Sequence, residues 1–136
     1  MPSLNGILET ALYVDDLDRA ARFYEEDLGL ERMVGDQRFH AYRVGGKSVL
    51  LLFKRGTTLE TVTLPGGSIP PHNGHGQLHI AFAVSESELE AWEARLHECG
   101  IAIEGRADWP KCGRSLYFRD PDGHLLEFAT PGLWPL

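Results

Sequence analysis

Long hydrophobic runs are missing from this chain. No uninterrupted apolar stretch exceeds five residues, as at Val49–Phe53, whereas a helix crossing a bilayer needs about 20. Residues 1–30 also lack a basic start followed by an apolar block, so no export signal and no membrane partner are expected. Cysteine is scarce. Cys99 and Cys112 are the only two, and without an export signal they read as reduced thiols of a cytoplasmic protein. Basic residues are few as well: 13 Lys and Arg stand against 20 Asp and Glu, a net charge of −7. A phosphate-backbone binder needs a clustered positive surface, so nucleic acid is not an expected partner. The acidic excess serves solubility, and it also suits a cationic ligand.

Glycine, by contrast, is plentiful at 15 of 136 residues, well above the usual share of about 7%. With a hydrophobic fraction of 43%, this points to turns and short strands around a core. The length suits one ordinary domain or two very small ones.

The chain contains itself twice. Leu8-Glu9-Thr10-Ala11-Leu12-Tyr13-Val14 matches Leu78-His79-Ile80-Ala81-Phe82-Ala83-Val84, 70 positions later, and both segments alternate like strands. A helical pattern comes after each. In the first copy Asp16 can cap a helix with Leu17, Ala20, Ala21, Tyr24 and Leu28 on its apolar side, and Gly29 ends it. In the second, Ser85 and Glu88 form a capping box, Leu89, Trp92 and Leu96 form the stripe, and Gly100 is the stop. Strands are then expected at Leu30–Val34, Phe39–Val44 and Ser48–Lys54, and again at Ile101–Glu104, Ser115–Arg119 and His124–Thr130. Gly45-Gly46 and Pro121-Asp122-Gly123 are the turns, with Gly46 aligned on Gly123. Each copy reads β-α-β-β-β, an α+β class of fold in which two modules, about 6–63 and 77–131, pair to share a core. The Pro- and Gly-rich stretch 64–76, with His72 and His75, reads as a linker or as a lid over a ligand pocket.

Three residues of metal-ligand type fall on related strand positions. Glu9 and His79 occupy the same place in the two copies, and Glu127 lies inside Leu125-Leu126-Glu127-Phe128. A carboxylate buried without a partner is expensive, so Glu127 calls for a metal or another cation. Its counterpart in the first copy is Leu50 on the Gly46–Gly123 alignment, which leaves a position without a ligand. Two carboxylates and one imidazole balance a divalent ion, and an open position marks a catalytic rather than a structural metal. Oxygen donors favour Mn, Mg, Fe, Co or Ni, and Zn is also compatible.

These residues carry a family likeness. Val14-Asp-Asp-Leu-Asp-Arg-Ala-Ala-Arg-Phe-Tyr24 with Leu28-Gly29, and Ser115-Leu-Tyr-Phe-Arg-Asp-Pro-Asp-Gly-His-Leu-Leu-Glu127, make the chain similar to the vicinal oxygen chelate superfamily over about residues 6–131. That superfamily includes glyoxalase I, extradiol dioxygenases, fosfomycin-resistance transferases, methylmalonyl-CoA epimerase and bleomycin-resistance proteins. The resemblance implies a glyoxalase-like fold in which paired βαβββ modules curve into a mixed-sheet cup. It places the metal ligands at Glu9, His79 and Glu127. It also implies chelation of a substrate through adjacent oxygens, with stabilisation of an anionic intermediate, and commonly a homodimer. The chain departs from four-ligand glyoxalase I at Leu50, and from the dioxygenases, which present two histidines, at Glu9.

The expected function is therefore a metal-dependent lyase, isomerase or transferase acting on a small oxygen-bearing molecule, with ring cleavage less favoured. The alternative is a metal-free binding protein of the bleomycin-resistance type, supported by the charge and by Trp92, Trp109 and Trp134. Glu9 and Glu127 are the candidates for a general base. Tyr117 stands opposite Glu127 if the turn has three residues, and Leu116 if it has two. His40 and Tyr42 share a strand face and are candidates to line the cup, and Arg114 is placed to attract an anion.

Overall fold

Alternating side chains over Glu9–Val14 make strand β1, and Asp16 ends the extended run by capping a helix. Its carboxylate accepts from the Arg19 N–H at 3.0 Å, one of the donors that a helix start leaves unsatisfied. Helix α1 (Leu17–Ala21) then widens into a π-helical stretch, Arg22–Asp27, where the Leu28 N–H reaches the Phe23 carbonyl at 3.1 Å. The widened turn brings Phe23 inward beside Tyr24, their rings 5.0 Å apart, so both are buried. Gly29, at φ +73°, ends the helix in a conformation that a side chain would strain. Strands β2 (Glu31–Gly35), β3 (Phe39–Val44) and β4 (Ser48–Lys54) come next. They give a sheet in the order β1-β4-β3-β2, with β1 parallel to β4 and the other pairs antiparallel. One face carries Leu12, Val14, Leu50, Leu52 and Tyr42, all buried, as are Leu17, Ala20 and Tyr24 of the helical segment. Each such aliphatic side chain contributes about 1.5–3 kcal/mol.

The structure, a computed structural model, describes residues 1–136 and divides into two compact units, 1–75 and 76–136. The stretch expected as a linker overlaps a short hairpin of the first unit, β5 (Val62–Leu64) and β6 (Gly67–Ile69). Beyond it the chain is tied down. The His72 N–H bonds to the Thr58 carbonyl at 2.9 Å, the Thr58 hydroxyl returns to the His72 carbonyl at 2.5 Å, and the His72 ring meets the Tyr13 hydroxyl at 2.6 Å. Arg55 holds the Gly74 carbonyl at 3.1 Å. A Cβ on Gly74 would lie 2.5 Å from the Tyr13 ring. So much bonding describes an anchored strap rather than a hinged lid.

The second unit repeats the design: β7 (His79–Ala83), α2 (Leu89–Glu98), β8 (Gly105–Asp108), β9 (Arg114–Arg119) and β10 (Leu125–Ala129). The order is β7-β10-β9-β8, with β7 parallel to β10. The expected capping box does not form. Ser85 bonds to the Glu88 side chain at 3.3 Å and caps no backbone group, and a 3-10 turn, Glu86–Glu88, precedes α2. Trp92 of the stripe is half-buried against Phe128, rings 4.7 Å apart. The strand expected at Ile101–Glu104 lies four residues later, at β8. The Ile101 N–H is used by the helix end, bonding to the Leu96 carbonyl, and pairing with β9 begins only where the Glu104 N–H meets Tyr117. Gly-Arg-Ala-Asp has little strand propensity, which hid it.

Register also corrects the ligand alignment. Glu9 pairs with Val49 and Ala11 with Leu51, whereas His79 pairs with Leu125 and Ala81 with Glu127. The counterpart of Glu127 is therefore Leu51, and Leu50 corresponds to Leu126. The slip came from the turns: the left-handed residue is Gly45, first in the β3–β4 turn, but Gly123, last in the β9–β10 turn. Matching Gly46 to Gly123 moved the strand by one residue, which exchanges the faces. Leu50 is 1% exposed, while Leu51 is half-buried on the other face. Leu50→Glu should therefore destabilise by about 3 kcal/mol or more through a buried unpaired charge. Leu51→Glu should stay within about 1.5 kcal/mol. Urea unfolding of the two variants checks this, and equal losses would contradict the register.

Candidate functional site

The second unit gathers several chemically active groups around one carboxylate. Glu127, in the middle of β10, is 4% exposed. Across the parallel pair, His79 opens β7 with its side chain about half exposed, and its Nε2 stands 3.2 Å from Glu127 Oε1. The other ring nitrogen, Nδ1, is 2.9 Å from the Leu125 carbonyl. A carbonyl only accepts, so Nδ1 carries the proton and donates. That fixes the tautomer and leaves Nε2 bare in neutral histidine. A bare nitrogen facing a carboxylate oxygen is a repulsive pair unless a proton or a cation lies between them. The donor set and its spacing thus fit a metal ion.

The far oxygen of the carboxylate is held as well. Ser115 donates to Glu127 Oε2 at 2.5 Å and receives the Trp109 indole N–H at 2.9 Å. The sequence offered Trp109 only as an aromatic of the metal-free binding alternative and gave Ser115 no role in a site. Strand parity was the available signal: Ser115 precedes Tyr117 by two residues and shares its face. Tyr117 itself pairs directly with Glu127, which is the register of a three-residue turn, and its ring lies 6.4 Å from that of His79. Burial first, and then the Glu127 charge, push its hydroxyl above the ordinary tyrosine range. Tyr117 is therefore a proton-bearing donor at neutral pH.

Glu9 belongs to the first unit, exposed at the first position of β1 and equivalent to His79 in β7. Neither unit by itself gathers three His, Cys, Asp or Glu side chains able to hold a metal. Arg114 is exposed at the start of β9, and Trp134 is 69% exposed beside an apolar cavity of about 390 Å³ in the second unit.

His40 and Tyr42 do not share the face of Glu9. They pair with Leu52 and Leu50, which puts them on the helix side of the sheet, where they are 5% and 0% exposed. There they join a polar chain. Glu25 binds Arg32 at 2.7 Å, Arg32 reaches His40 Nε2 at 2.9 Å, and His40 Nδ1 meets the Tyr42 hydroxyl at 3.1 Å. Arginine can only donate, so His40 Nε2 accepts and Nδ1 donates. Burial and then Arg32 push the His40 pKa down, while burial and Glu25 push Tyr42 up to about 12.

With this geometry in view, comparison with known proteins places the chain. Residues 6–128 match the model of the Glyoxalase/Bleomycin resistance protein/Dioxygenase superfamily, and the chain belongs to that family. It is 32% identical to a metallothiol transferase FosB of Shouchella clausii, over 93% of this chain and 81% of the relative. It is 30% identical to a FosB of Staphylococcus saprophyticus, over 93% and 78%. Among solved structures, a lactoylglutathione lyase from Agrobacterium tumefaciens superposes with a TM-score of 0.89 at 32% identity, covering 99% of this chain and 100% of that one. The α+β, glyoxalase-like fold is thereby established, and no helix is long and apolar enough to cross a membrane.

The His40 network generates a pH expectation. Its histidine resists protonation in the folded state, whereas the unfolded chain takes up a proton near pH 6.5. Stability should be full above about pH 6.5 and fall as pH drops below it. His40→Gln, which retains an acceptor and a donor without titrating at that pH, should flatten the decline. Urea unfolding from about pH 8 to about pH 5 measures it, and parallel curves for the two proteins would remove His40 as the cause.

Proposed function

We propose that the protein is a divalent-metal-dependent enzyme of this superfamily, acting on a small oxygen-bearing molecule as a lyase, isomerase or transferase. The observation that carries this reading is the His79–Glu127 pair, 3.2 Å apart, with both outer atoms already bonded to the protein. His79 Nε2 and Glu127 Oε1 would hold the ion, and Glu9, at the position equivalent to His79, is the third ligand the sequence offers. Mn, Fe, Co, Ni, Mg and Zn all accept two carboxylates and an imidazole. A cation in such a site supplies Lewis-acid polarisation to adjacent substrate oxygens.

The remaining chemistry belongs to the side chains. Tyr117 keeps its proton at neutral pH and donates it in a hydrogen bond to an oxygen that becomes anionic. Glu127 is buried and held by Ser115, so Glu9, exposed, is the freer carboxylate to accept a proton from substrate. The names metallothiol transferase and lactoylglutathione lyase both carry a thiol compound, so a thiol-bearing substrate or cosubstrate is the class this reading favours. A cytoplasmic location agrees with it. Each sheet ends on a parallel strand, β1 or β7, and we assign the working form as a homodimer.

Protein purified without chelators should carry close to one divalent ion per chain. His79→Ala should lose most of it, while Tyr117→Phe should keep the metal and lose about 10²–10³ in kcat on a panel of thiol-dependent substrates. Metal analysis by mass spectrometry decides the first point. Absence of metal in the wild type would leave the metal-free binding protein as the function, whereas full metal in both His79→Ala and Glu127→Ala would rule out these residues as the metal's ligands. Sedimentation equilibrium should report about twice the 15.2 kDa chain mass, and a monomer that retains metal and activity rules out the dimer.

A further inference from the structure

We infer that Trp109 and Ser115 are positioning residues for Glu127, a donor chain that holds one carboxylate oxygen so that the other is presented to a cation beside His79. The inference rests on the metal reading above and extends it to residues that do not touch the ion.

Direction is the core of the argument. An indole N–H can only donate. Trp109 Nε1 donates to Ser115 Oγ at 2.9 Å, so that lone pair is occupied and the serine proton is turned elsewhere. It is directed to Glu127 Oε2, 2.5 Å away. A hydroxyl donating to a carboxylate is a charge-assisted bond, shorter and stronger than a neutral one. Ser115 is 1% exposed and Glu127 is 4% exposed, so no solvent competes for either partner. With Oε2 committed, the carboxylate plane is set, and Oε1 is left 3.2 Å from His79 Nε2. The backbone supports the chain. Ser115 lies on β9, diagonally across the ladder from Glu127, whose direct partner is Tyr117. Trp109 is placed by the loop between β8 and β9, whose ends close through the Trp109 N–H on the Gly113 carbonyl at 3.0 Å. His79 is oriented by a different group, the Leu125 carbonyl. The two candidate ligands are thus aimed independently.

The test is Mn(II) binding, read from the electron paramagnetic resonance signal of free Mn(II) and so independent of turnover. Ser115→Ala should weaken Mn(II) binding by about 10- to 100-fold, the usual consequence of removing the group that orients a ligand. Trp109→Phe should weaken it by about 3- to 10-fold, as for one neutral hydrogen bond. Because Trp109 acts through Ser115, the double variant should bind no more weakly than Ser115→Ala alone. Melting of the metal-free variants controls for general damage. If Ser115→Ala does not fold, Trp109→Phe decides alone: weaker binding at an unchanged metal-free melting temperature supports the donor chain, and unchanged binding overturns it. Additive losses in the double variant also overturn it. A wild type that binds no Mn(II), Co(II) or Zn(II) overturns the metal reading and this inference together. Binding that His79→Ala abolishes but both Trp109→Phe and Ser115→Ala leave intact sinks the donor chain alone.

Discussion

A carboxylate inside an apolar strand must be answered by its neighbours, and in this protein Glu127 organises the groups that surround it. Its strand is flanked by Leu126 and Phe128, both buried. Water cannot solvate the charge there, so every partner has to come from the chain or from an ion. Ser115 takes one oxygen, His79 faces the other, and Tyr117 stands across the ladder. These contacts determine which residues can occupy three strands at once, a stricter demand than packing makes.

The demand is met by a simple repeated device. In both four-stranded sheets the first strand lies at one edge, parallel to the last strand of that sheet, so that side is built from residues far apart in sequence. Parallel pairing sets His79 beside Leu125 at the start of β10, one diagonal step from Glu127 on the same face, which is why a histidine and a glutamate 48 positions apart (His79 and Glu127) become neighbours. The opposite face of β10 carries Leu126 and Phe128, the latter against Trp92 of α2, and leaves Glu127, Ser115 and Tyr117 on this one.

Much of that was legible in the sequence, for identifiable reasons. Alternation and the 70-residue repeat marked β1 and β7, and Asp16 and Gly29 bracketed the helix because capping chemistry is local. The Glu127–Tyr117 pairing came from turn length. The features that stayed hidden depended on partners rather than on propensity. β8 has a polar, glycine-led sequence and exists because β9 supplies a ladder. Leu51 was missed because two turns of equal length place their left-handed glycine at opposite ends. Ser115 opens the family-like segment and Trp109 is one of three tryptophans, but nothing in the sequence links them, since a hydrogen bond between a loop indole and a strand hydroxyl is fixed only by tertiary geometry. His40 and Tyr42 looked like lining residues because alternation reports that they share a face, not which face it is.

The polar chain around His40 separates the two halves in character. In the strand register, His40 and Tyr42 correspond to Leu116 and Phe118, which are buried and apolar. On the helix side of its sheet, one half is thus held partly by directed bonds among arginine, histidine and tyrosine, and the other at the same positions by apolar packing. Such halves age differently as conditions change: proton concentration loosens the first, while cold, which weakens apolar burial, presses harder on the second. The duplicated architecture is symmetric in topology and asymmetric in its vulnerabilities.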